Sequence, residues 1–228
     1  MFCRAYASGA IQDFKQRILD NLLRLHDETG AQDLAFPVGV FLALDRKNGG
    51  DETGEEIARR FNFVDSESRD VIDFYLLGWH QPRSTETQPV FDLASFQSCR
   101  DALKKAGVEG FGGYADFLFF DAWLRDGRAV LDFENALHVD LAESLASKRI
   151  PNVGGFVQHL IDAANEVRKE ANTDFSAVLR VSDKVGLATA KQSALNFVLR
   201  KWGAIIGASA LLPLATRRIG PAVDLAEI

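Results

Sequence analysis

Three carboxylates near the middle of the chain, Asp121, Asp132 and Glu134, have the types and spacing to do chemistry. They flank Asp126-Gly127, the dipeptide that most strongly signals a two-residue hairpin turn. With that turn as the loop, Asp121 opposes Asp132, Phe119 opposes Glu134 and Trp123 opposes Val130, so the carboxylates project from one face of the hairpin. Directly opposed like charges destabilise a strand pair, and something must compensate. The candidates are a divalent cation such as Mg²⁺ held by hard carboxylate oxygens, a nearby Arg125 or Arg128, or water at a splayed hairpin end.

An Asp followed at a distance by Asp132-Phe133-Glu134 resembles the acidic part of the restriction-endonuclease-like nuclease core. The resemblance implies a magnesium ion on Asp121, Asp132 and Glu134 and hydrolysis of a nucleic-acid or other phosphoester. That family places a lysine two positions beyond the glutamate. Here Asn135 and Ala136 follow Glu134, which leaves out the group that would steady the attacking water or the developing charge.

The histidines do not gather in sequence. His80 follows an expected strand, at the end of an α/β sheet where ligands commonly bind, and is the histidine best placed for catalysis. His159, Asp162 and Glu166 share the polar side of an expected helix, as solvated charged faces do. His26 ends the first helix and His138 lies in the hairpin. Cys3 and Cys99 are too far apart to suggest a disulfide framework, and no G-x-S-x-G elbow or Cys–His signature is present. The loop Asp45 to Glu52 is glycine-rich but lacks both phosphate-loop patterns, and Asp51, Glu52, Glu55 and Glu56 would repel a phosphate at the following helix.

These residues need a scaffold, and the composition provides for one. A hydrophobic fraction of 47% with 17 phenylalanines describes a folded globule, and a net charge of −6 gives no global attraction to nucleic acid or anionic membranes. Without a recognisable leader the expected setting is the cytoplasm. Ile11, Phe14, Ile18, Leu22 and Leu25 predict a first helix closed by Gly30. Leu34 to Leu44 and Val71 to Trp79 read as core strands, with a helix between them opened by a capping box at Thr53-Gly54-Glu55-Glu56. Leu93, Phe96, Cys99 and Leu103 predict a third helix ending at Gly107, followed by the hairpin arms Ala115 to Leu124 and Arg128 to Leu141. The apolar stripe from Val153 to Val167 predicts another helix, and Phe175 to Ala215 one or two more.

This order predicts an α/β fold: a mixed sheet covered by helices over residues 1–148, and a helix-rich C-terminal region, 149–228, that packs on the core or forms an interface. Over roughly residues 34 to 170 the order resembles a thioredoxin-type arrangement, without that family's Cys-x-x-Cys and hence without its redox chemistry. The stretch Arg60 to Trp79 resembles segments of uncharacterised bacterial proteins, which implies a part in a bacterial multi-protein system, defence included.

Residues 202–215 carry no charge and are flanked by Arg200-Lys201 and Arg217-Arg218. A membrane-spanning helix needs about 20 apolar residues, and Pro213 shortens this run. The segment is therefore expected to be a buried helix or an interface, with membrane action as the alternative. The function expected from the whole is partner binding or self-association by a scaffold, set against a Mg²⁺-dependent nuclease or phosphohydrolase that would use Asp121, Asp132, Glu134 and His80.

Overall fold

The computed structural model describes residues 10–30, 34–68, 71–80, 89–109, 112, 114–169, 176–185, 216–217 and 219–228. In chain order these form α1 (Ala10–Thr29), β1 (Leu34–Ala43), α2 (Glu52–Ser68), β2 (Asp73–Leu76), β3 (Trp79–His80), β4 (Val90–Phe91), α3 (Leu93–Lys105), β5 (Ala115–Arg125), β6 (Arg128–Asp140), α4 (Leu141–Ala146), α5 (Val153–Lys169), α6 (Ala177–Val185), β7 (Thr216–Arg217) and β8 (Ala222–Asp224). The helix, strand, helix, strand, helix, hairpin, helix order expected from periodicity is present.

β1 is apolar at nearly every position because helices cover both of its faces. Val38, Val40, Phe41, Leu42 and Ala43 are all buried. It pairs in parallel with β2 and antiparallel with β5 along its whole length, from Leu34 opposite Leu124 to Ala43 opposite Ala115. The sheet runs β2-β1-β5-β6-β7, with β8 also on β6, and is mixed as the sequence predicts.

Alternation along the strands sorts the core into two layers. Val38, Val40, Leu118, Phe120 and Leu131 pack under α1 and α3, with Phe14, Ile18, Phe96 and Cys99. Phe41, Phe74, Phe117 and Phe119 pack under α2, α5 and α6, with Ile57, Phe156, Leu160, Val178 and Val181. Helices beyond residue 149 thus share one core with the sheet, and β7 and β8 extend the sheet itself. Aromatic packing is dense here: Phe41 lies 4.7 Å from Phe117 and Phe117 lies 5.3 Å from Phe156, centroid to centroid.

Several boundaries differ from expectation. α2 starts at Glu52 and is capped by Asp51, whose Oδ1 accepts from the Thr53 N–H at 2.8 Å, so Thr53 is buried inside the first turn and is not the cap. The run Val71 to Trp79 is broken at Gly78, where φ is +79°, and its last residues turn into the separate β3–β4 ribbon. The hairpin turn is as expected: Asp126 and Gly127 have φ of 50° and 72°, the left-handed pair of a type I′ turn. Residues 186–215, including the uncharged stretch 202–215, lie outside the described residues, and no described helix is long and apolar enough to cross a membrane.

Candidate functional site

The hairpin register near its turn is the expected one. Asp121 opposes Asp132 and Trp123 opposes Val130. Beyond this the register shifts: Phe119 opposes Leu137, not Glu134. The expected placement of Glu134 is therefore corrected, because extra β6 residues bulge between Asp132 and Leu137 and leave Glu134 exposed.

Asp132 holds this bulge together. Its Oδ1 accepts from the N–H groups of Glu134 and Asn135, each at 3.1 Å, and its Oδ2 accepts from Asn135 Nδ2 at 2.8 Å. The Asp side chain replaces ladder bonds that the bulge cannot make. Asn135, which stands near the place of the missing lysine, thus serves as a clamp on Asp132.

Asp121 has a different task. It is fully buried, and its carboxylate accepts from Ser176 Oγ at 2.5 Å and from the Val178 N–H at 3.3 Å. Ser176 precedes α6, and its Oγ accepts from the Leu179 N–H at 3.2 Å, so a strand carboxylate reinforces the helix cap. Burial pushes the Asp121 carboxyl up to about 7; the bonds from Ser176 and Val178 pull it down, and nearby Asp132 adds to the rise.

His80 sits elsewhere. Trp79 Nε1 donates to Ala43 O at 2.8 Å, which anchors the β3–β4 ribbon at the carboxyl end of β1, while Asp121 pairs with Pro37 near the other end. From Pro37 to Ala43 an extended strand spans about 20 Å, so His80 does not join the carboxylates. Its Nε2 lies 3.7 Å from Asp92 Oδ2. Asp92 also caps α3, accepting from the Ala94 and Ser95 N–H groups and from Ser95 Oγ. Burial would raise the Asp92 carboxyl, but the bonds from Ser95 and Ala94 and the neighbouring His80 prevail and hold it below its ordinary value.

Neither a protein-family model, nor a curated protein, nor a solved structure matches this chain.

One buried pair has no local signal in the sequence. His138 Nε2 lies 2.6 Å from Asp116 Oδ1, with both side chains buried. In an unbroken hairpin His138 would project from the same face as Asp132. The bulge reverses the parity of β6, so Leu137 and Val139 join the α5 face and His138 turns to the other face beside Asp116. No spacing rule signals this, because it depends on a register shift.

Among the described residues no group of three or more His, Cys, Asp or Glu side chains is placed to hold a metal ion. Gln158 bonds Asp162, and Glu166 lies 3.5 Å from Lys184, as a solvated helix face would have it. Cys99 is a buried thiol in the core under α3, and Cys3 lies outside the described residues. A surface hollow of about 320 Å³ beside α2 is lined by Glu52, Glu56, Arg59 and Arg60, which offers mixed charge and no convergent set of donors.

Proposed function

We propose that this chain is a non-catalytic α/β scaffold that binds a protein partner, in the first instance a second copy of itself, through the end of its sheet where β1 finishes and β5 begins. The observation that carries the reading is the exposure there of Tyr114 at 63% and Val90 at 44%. Tyr114 O accepts from the Leu44 N–H at the end of β1, and Val90 pairs with His80 in the ribbon that Trp79 fastens to the same end. Exposed aromatic and apolar side chains gathered at one end of a sheet are the material of protein interfaces. Asp121 and Asp132, by contrast, each serve a local structural bond network, which removes the main support for hydrolysis on a metal.

The uncharged stretch 202–215 is proposed as a second contributor to the interface, and a cytoplasmic, multi-protein setting belongs to the same reading. Sedimentation velocity over a range of concentrations tests it. The wild type is expected to associate, and Tyr114→Asp, Val90→Asp and Ile205→Asp to weaken association with the fold intact by circular dichroism. A wild type that stays monomeric throughout the range sinks the proposal.

A further inference from the structure

Arg125 and Arg128 oppose each other across the hairpin, the last pair before the Asp126-Gly127 turn, so two like charges project from one face of this end of the sheet. Both are exposed. The Arg125 guanidinium carbon stands 4.3 Å from the centroid of the Trp123 ring, which puts Trp123 on the face that the two arginines share. The neighbours of Asp121 are Ser176, Val178 and Asp132, and the arginines are left with their own repulsion. Among the described residues neither arginine has an ion pair, with Asp126 in the turn between them included.

Trp123 supplies an independent observation. It is only 6% exposed, yet its buried indole Nε1–H has no acceptor among the described residues. A buried donor without a partner costs free energy, and native structures almost always provide one. Trp79 shows the usual solution, with its Nε1 donating to Ala43 O at 2.8 Å. Because the Trp123 Nε1 belongs to the ring that the Arg125 guanidinium covers, a single group rich in acceptors can take both an indole and a guanidinium N–H. Arg125, exposed and without an ion pair, can swing from the ring to admit it.

We propose that Trp123, Arg125 and Arg128 form a binding site for a small phosphate-class oxyanion, whose charge the two guanidinium groups clamp while the indole N–H donates to one of its oxygens. Such a ligand answers both the repulsion between the arginines and the unmade bond of the indole. A tetrahedral oxyanion suits the set, because its several oxygens accept from guanidinium forks and from a separate donor at once. The net charge of the chain is −6, so the attraction is local to this hairpin end and does not extend to polyanions in general. Trp123 pairs with Ala35 near the start of β1, whereas Tyr114 meets Leu44 beyond its end, and the site is independent of the partner-binding reading.

Proton–nitrogen NMR of the full chain tests the site, since each of the three tryptophans contributes its own indole N–H resonance, to be assigned in the wild type. Titration with inorganic phosphate, against potassium chloride at equal ionic strength, is expected to move the Trp123 indole signal downfield and to saturate in the millimolar range. The Trp79 signal, held by Ala43 O, should stay in place. Arg128→Gln and Arg125→Gln, both at exposed positions, should each weaken phosphate binding about tenfold or more with the fold intact by circular dichroism. Acetate, with one charge and two oxygens, should bind about tenfold more weakly than phosphate. The proposal is overturned by a Trp123 signal that does not saturate with phosphate, that moves equally with chloride or acetate, or that responds in Arg128→Gln as it does in the wild type.

Discussion

Asp121 and Asp132 are direct partners across the β5–β6 hairpin, yet their carboxylates hold two different structures, the start of α6 and the bulge of β6. Each carboxylate is explained by the bonds it accepts.

Stability should fall as pH rises through the weakly acidic range. The folded chain holds the Asp121 proton up to about 7, whereas the unfolded chain releases it near 3.8, so the folded state binds more protons between those values. Denaturant unfolding should show the wild type losing about 1 kcal/mol or more relative to Asp121→Asn between pH 5 and pH 7. Parallel pH profiles for the two proteins would contradict the assignment.

Magnesium or manganese at millimolar concentration should leave the melting temperature unchanged, because ligands that bind only the native state must stabilise it. A rise of several degrees in the wild type that disappears in Asp132→Asn would restore the metal-hydrolase reading. Asp132→Ala should cost about 1–3 kcal/mol by leaving the Glu134 and Asn135 amides of the bulge unpaired.

Gly39 is the tightest point of β1. A Cβ there would stand 2.6 Å from two carbons of the Phe74 ring and 2.9 Å from Phe117. Gly39→Ala should therefore destabilise by about 1–3 kcal/mol through overpacking, measured by chemical denaturation. A neutral effect would mean that the aromatic layer is looser than these distances require.

Trp79→Phe keeps most of the ring contact with Phe91 but removes the donor to Ala43 O. The expected loss is about 1–2 kcal/mol, accompanied by faster amide exchange in the β3–β4 ribbon. Unchanged exchange there would show that the hydrogen bond does not anchor the ribbon.

The elements were largely legible because their signals are local. The stripe from Phe14 to Leu25, closed by Gly30 at φ +69°, needed only the helical period and a left-handed stop. Asp126-Gly127 marked the turn and, through it, the pairing of Asp121 with Asp132. The candidate site was less legible. Glu134 left the pair at the bulge, His80 went to the far end of β1, and Asp116 met His138 on a face that the unbroken hairpin would have denied it.

By itself, then, the sequence determined the α/β class, the order of the elements and the local register at the hairpin turn, since periodicity and left-handed residues act over a few positions. Only the tertiary structure decided what the carboxylates do. The cap that Asp121 provides to α6 joins residues 55 and 57 positions apart, and the burial that raises its carboxyl arises once the helix covers the sheet. Long-range packing sets desolvation and partner choice, and these quantities are written in no short stretch of chain.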